Sequence, residues 1–315
     1  LLEGGAIVPF IEAFTPKKKL LEQSKACLPY LIEFLEATDK IPGASPAQAA
    51  LDALIRISPD SSLNKMQDLV SLTSYQEPVK KPKKGQTVVV DTTMQDYLKF
   101  HSVKALATLA TDILAPLDGE NEDAKKKAFA DIPGIMSSLS FALEHFMTRL
   151  EKSEEEPAEG EEALSDEDKA NLALEGHNIC TSIAAAVAFS RDNLMAALQG
   201  SMVDQVMALL TRPAYRLCSL LVLRRVCDDA ESGTPAIATP ERMESIIASL
   251  DGTTTAIAKV VEGAEDELPL SVLSAQLSEL QRIFTTVAAR GSDALTPEAL
   301  TAIVQKVSAS VLAPS

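Results

Sequence analysis

The sequence predicts an all-α chain, and three observations predict it. Its 44 Ala and 40 Leu make up about 27% of 315 residues, against no Trp, 4% aromatic residues and 13 Gly, which is the composition of packed helices and nearly excludes an all-β fold. Apolar residues recur at three-four spacing. Helix-start chemistry also recurs, as Ser45-Pro46, Thr93 with Asp96, Thr239-Pro240 and Thr296-Pro297. The length exceeds a single domain of roughly 100 to 200 residues, so two domains or one extended repeat array is expected.

Short helices are predicted first, at Glu22 to Ala37, Pro46 to Ile57 and Leu63 to Thr73. From Ser74 to Asp91, Pro78, Pro82, Gly85 and four lysines read as an extended linker holding at most one short strand at Val88 to Val90. Thr93 and Asp96 resemble a capping box before a helix ending near Leu114, with Val103, Leu106, Leu109, Ala110 and Ile113 inward. Another helix should run from Pro133 to about Leu150. Residues 151 to 168 carry ten acids and one lysine with little that is apolar, so a solvated, disordered loop is expected there. Ser165 and the acids after it start the next helix, which continues through the alanine-rich stretch to Phe189. Further helices follow at Met202 to Leu210, Pro213 to Val226, Pro240 to Leu250 and Thr254 to Val261. The last runs from Pro269 to Arg290, where Leu270, Leu273, Leu277, Leu280, Phe284 and Val287 form an apolar stripe that needs a partner helix. The resulting division is 1–73 helical repeats, 74–92 basic linker, 93–150 central helices, 151–165 acidic loop and 166–315 helical repeats.

Charge narrows the function. A net charge of −16 repels phosphate backbones and anionic lipid surfaces, so neither nucleic acid nor a membrane surface is an expected partner. No apolar run approaches the roughly 18 residues of a membrane span, and no direct membrane insertion is expected. The basic clusters are Lys17-Lys18-Lys19 and Lys80-Lys81-Pro82-Lys83-Lys84; the second could pass for a nuclear-import or RNA-contact patch but reads as a flexible charged linker, and with Tyr75 the one aromatic nearby no base-stacking platform is expected. The start, Leu1-Leu2-Glu3-Gly4-Gly5, lacks an initiator Met, as expected of a processed protein or a trimmed fragment.

Cys27, Cys180, Cys218 and Cys227 lack the paired spacings of a metal site and are too sparse for a disulfide framework, so reduced, buried thiols in an intracellular reducing compartment are expected, either cytoplasm or mitochondrion. Cys218 and Cys227, nine residues apart in one helix, should face opposite ways. Among His101, His145 and His177, only His177 has a companion at helical spacing, Cys180, and two ligands do not make a structural zinc site. No nucleophile elbow, P-loop or dinucleotide-binding glycine pattern is present, so neither catalysis nor a cofactor or metal is expected.

Glu3-Gly4-Gly5-Ala6-Ile7-Val8-Pro9-Phe10-Ile11-Glu12-Ala13-Phe14 resembles the entry to the third helix of an armadillo repeat, and Ala49 to Ser58 resembles that family's second helix. Val103 to Ala110 and Cys218 to Cys227 share the small, apolar-dense character of Ala49 to Ser58. The resemblance implies a degenerate armadillo- or HEAT-like right-handed superhelix of stacked helices, an interaction surface without catalysis. Peptide-binding armadillo proteins carry asparagines near the end of the second helix. The corresponding positions here are Arg56, Thr108 and Arg225, so the asparagine ladder is absent and the two arginines would favour an acidic segment. The expected function is a non-enzymatic scaffold or structural subunit that binds protein partners, such as other subunits of a larger complex. Alternatives are a reversible peptide-binding adaptor and an accessory subunit of a mitochondrial complex such as an ATP synthase peripheral stalk.

Overall fold

A computed structural model describes residues 21–36, 59–76, 93–115, 122–155, 165–263, 268–290 and 305. Among them the secondary structure is entirely helical, with no strand. The armadillo-resembling runs 3–14 and 49–58, the helix expected at 46–57 and Thr296-Pro297 lie outside the described residues. So do both lysine clusters, most of the 74–92 linker and residues 156–164.

The chain divides into two compact units, Leu1–Glu159 and Gly160–Ser315. In the first are α1 (Leu21–Glu36), α2 (Pro59–Thr73), α3 (Thr93–Leu114), α4 (Glu122–Ala130) and α5 (Ile135–Glu154). α3 packs against α1 and α2, and α2 also packs against α5. Val103, Leu106, Leu109, Ala110 and Ile113 of α3 are all buried, as their three-four spacing predicts. Ser74, one residue past α2, shares a hydrogen bond of 3.1 Å with Ser138 of α5, which ties the end of one helix to the start of the other.

The second unit holds α6 (Asp166–Ala188), α7 (Arg191–Gln199), α8 (Met202–Leu209), α9 (Pro213–Cys227), α10 (Gly233–Ile237), α11 (Pro240–Val261) and α12 (Leu270–Ala289). α9 is its centre, packed against α6, α8, α10, α11 and α12. α6 is buried on every side from Asn178 to Val187, and the small side chains of Ala184, Ala185 and Ala186 let a neighbour approach closely. Its start is fixed as the sequence suggests: the Ser165 hydroxyl accepts from the Asp168 amide at 3.1 Å and donates to the Asp168 carboxylate at 2.6 Å. Thr239 accepts from the Arg242 amide in the same way ahead of Pro240.

Several boundaries differ from the expectation. Residues 151–154, expected in the loop, instead belong to α5, which runs past buried Leu150 to Glu154. The helices expected at 240–250 and 254–261 are one, α11. Gly252, which reads in the sequence as an interruption, lets the Arg216 guanidinium come close: a Cβ there would stand 3.1 Å from Arg216 Nη2. α4, α7 and α10 were not expected. α7 nevertheless carries its own signal, since the Ser190 hydroxyl accepts from the Asn193 amide at 3.3 Å. In the apolar stripe of α12, Leu273, Leu277, Leu280, Phe284 and Val287 are buried, while Leu270, the helix's first residue, is 45% exposed. No helix among the described residues is long and apolar enough to cross a membrane.

Candidate functional site

The chemistry-bearing side chains of the second unit gather around α9, in three groups. The first lies where α9 meets α6. Cys218 of α9 interacts electrostatically with His177 and Cys180, which stand one turn apart on α6. Cys180 and Cys218 are 0% and 1% exposed, whereas His177 is exposed. As a thiol, Cys218 can also donate to the Tyr215 carbonyl at 3.0 Å, one turn back along α9.

Their protonation follows from these contacts. The hydrogen bond from Cys180 and those from His177 and the Ser219 amide stabilise a Cys218 thiolate against the cost of burial, and its pKa falls below the usual thiol value. Cys180, the donor of the pair and wholly buried, is pushed well above it. His177 is raised, chiefly because it donates to Cys218, and burial opposes this only in part. At Cys227, nine residues along the same helix, burial followed by the nearby Asp228 charge raises the thiol to about 12. Among the described residues, no three His, Cys, Asp or Glu side chains are arranged to hold a metal ion.

The second group is a buried polar network. Arg216, 7% exposed, donates from Nε to the Leu210 carbonyl at 3.1 Å and from Nη1 to the Thr253 hydroxyl at 3.2 Å. Thr253 donates onward to Gln276 Oε1 at 3.0 Å, and Gln276 Nε2 reaches the Pro213 carbonyl at 3.2 Å. One chain of hydrogen bonds thereby joins the end of α8, the start of α9, α11 and α12. No carboxylate among the described residues pairs with Arg216; burial lowers its pKa, and the α8 C-terminal carbonyl supplies the favourable negative pole. Thr253→Val keeps the shape but leaves Arg216 Nη1 and Gln276 Oε1 without partners. A loss of about 1–3 kcal/mol is expected, seen as a lower urea midpoint with an unchanged denaturant slope.

The third group covers the end of α9. Arg290 donates from Nη1 to the Cys227 carbonyl at 2.5 Å and to the Thr234 hydroxyl, and from Nη2 to the Asp228 carbonyl at 3.0 Å. Thr234 itself donates to the Cys227 carbonyl at 2.8 Å. Nearby, Arg224 Nε and Glu279 Oε2 approach to 2.7 Å, an ion pair between α9 and α12 whose angles fall short of a hydrogen bond, and Arg282 Nη1 reaches the other oxygen at 3.1 Å.

Arg56 lies outside the described residues. Thr108 is half-buried on α3 and directs its hydroxyl to the Lys104 carbonyl at 3.0 Å. Arg225 is half-buried on α9, with Nη1 at 3.5 Å from Asp228 and Nε buried without a hydrogen-bond partner; burial and, next, the Arg224 charge lower its pKa. Thr108 and Arg225 belong to different units. The His177 and Cys180 pair is visible from spacing, but their partner Cys218 is not, since helical periodicity relates residues within α6 or within α9 and carries no information on which faces meet.

No protein-family model matches the chain, and no curated protein matches it. Two crystal structures of engineered proteins from the Northeast Structural Genomics Consortium resemble it at low similarity. The first is 14% identical with a TM-score of 0.36, covering 90% of this chain and 96% of that one. The second is 11% identical with a TM-score of 0.30, covering 96% of this chain and 77% of that one.

Proposed function

We propose that the chain is a non-enzymatic scaffold or structural subunit that binds protein partners through the surfaces of stacked helices within a larger assembly, its helices forming degenerate armadillo- or HEAT-like repeats. The observation that supports this reading most is the row α6, α9, α12: α9 packs against both others, and each interval inserts two helices, α7 with α8 and then α10 with α11, before the chain returns to the row. Stacked helical repeats bury their cores in this way, each layer contacting its neighbours, and leave long helix faces free for recognition. The polar network and the Arg290 contacts hold the layers in register. Val261, the last residue of α11, and Leu270, the first of α12, are 41% and 45% exposed and so open to a partner's contact.

The test is size-exclusion chromatography of native extract with the composition of the eluting species determined. The chain should elute in an assembly of fixed composition. Val261→Asp combined with Leu270→Asp should reduce its share in that assembly while leaving the melting temperature of the isolated chain within a few degrees. Elution as a free monomer, or with a stoichiometric nucleotide or metal, would overturn the reading.

A further inference from the structure

We propose that the first unit carries a proton-operated switch: His101 of α3 and His145 of α5 pack as neutral rings, and their protonation below about pH 6 loosens the seams that α3 makes with α1 and α5. The switch does not depend on the scaffold reading, whose main support lies in the second unit. His101 is set into aromatic surface. Its ring centroid lies 4.1 Å from that of Tyr97, one turn earlier, and 5.2 Å from that of Phe100, which meets it edge-on. Nδ1 is buried with no hydrogen-bond partner. A neutral imidazole tolerates this by keeping its one proton on Nε2. The imidazolium carries a proton on both nitrogens, and the buried one would lack an acceptor. Two cations flank this edge of α3. Lys25 of α1 stands over the Tyr97 ring with Nζ 5.4 Å from its centroid, and Lys104 acts on His101 from the next turn.

Another edge of α3 meets α5 through Lys99, which is buried with Nζ 5.2 Å from the centroid of the Phe141 ring. His145 follows Phe141 by one turn and is half-buried. Among the described residues, the cations that act on it are Lys99 across the seam and Arg149 and Lys152 on its own helix; Asp96 of α3 is the acid that opposes them. Burial first, and then these charges, hold both histidines below the usual imidazole pKa, while burial raises that of Tyr97 and keeps the phenol neutral. Above the unfolded value of about 6.5 both rings are neutral in either state and the packing is intact. As pH falls from there through the lower folded values, the unfolded chain takes up protons that the folded unit resists, so stability is lost.

The experiment follows hydrogen–deuterium exchange of the full chain by mass spectrometry at about pH 7.5 and about pH 5.5, with rates corrected for the intrinsic effect of pH. Protection of α3 and α5 peptides should fall on the order of tenfold, while that of α9 and α12 stays within about twofold. His101→Phe keeps a ring against Tyr97 and Phe100 and takes no proton. Combined with His145→Gln, it should hold the protection of α3 and α5 in acid at its neutral level. In the isotope-labelled parent chain, NMR titration of the imidazole C2 hydrogens should give both histidines apparent pKa values below about 6.5. Unchanged protection of α3 and α5 in the parent, a matching fall in α9 and α12, an equal fall in the double variant, or an ordinary or raised value for either histidine would overturn the switch. The titration uses the parent alone, so a variant that failed to fold would not obscure the answer.

Discussion

Leu280→Asp should leave the second unit without a cooperative folded state. Leu280 is 0% exposed in the middle of α12, on the face that packs against α9 and α11. Truncation to alanine at such a position costs about 2–5 kcal/mol through lost burial and the cavity that remains. Aspartate adds an uncompensated charge in an apolar site, which takes the total past about 5 kcal/mol and so to the scale of a domain's whole stability. Leu277 lies one turn earlier and is also buried, so Leu277→Asp should act in the same direction. Far-ultraviolet circular dichroism during a urea melt reads the outcome as loss of helical signal in water. A variant melting within about 1 kcal/mol of the parent, with only partner capture lost, would mean that this stripe is an interface and that α12 does not pack on α9 and α11.

Among the described glycines with a close neighbour, Gly233 should tolerate an added methyl group least. A Cβ at this position would stand 1.9 Å from the Val226 carbonyl oxygen and 2.9 Å from its carbon, and backbone atoms in the last turn of α9 cannot swing aside as a side chain would. The same turn is pinned elsewhere. The Asp229 carboxylate accepts from the amides of Ser232 at 2.7 Å and Gly233 at 3.1 Å, and these bonds hold its pKa below the usual carboxylate value. Relief would require moving α10 off α9 and breaking the Thr234 and Arg290 contacts at the Cys227 carbonyl. A cost of about 3 kcal/mol or more is expected, measured as a drop in urea midpoint. Gly134 offers the contrast: its strain under substitution comes from its own φ of 76°, with the nearest other atom 3.7 Å from a Cβ. A Gly233→Ala chain as stable as the parent would show that α10 does not sit against the end of α9.

The difference between these two positions shows how far the sequence can be read. Leu280 is legible, because the stripe of α12 repeats at three-four spacing and its inward face follows from that alone. The starts of α6 and α11 are legible too, since Ser165 and Thr239 bring their own hydrogen-bond partners a few residues away. Gly233 is not, because its requirement is set by the carbonyl of Val226 across a turn. Arg216, Thr253 and Gln276 are likewise unremarkable as letters, and meet only because α8, α9, α11 and α12 converge. Gly252 misleads for the same reason: local propensity makes it a break, and contact with Arg216 makes it part of a helix. At the thiol cluster the sequence supplies half of the arrangement, His177 and Cys180 on one face of α6, and the packing of α9 supplies the rest.

The way Arg216 and Arg290 are used bears on how the protein meets other molecules in solution. Both direct their guanidinium groups at backbone carbonyls that end helices, Arg216 at α8 and Arg290 at α9, so each positive charge faces the negative pole of a helix. The unit's surplus of acids is therefore left to face water and not a buried arginine, and added salt weakens its repulsion of polyanions without loosening the buried bonds that Arg216 makes within the fold.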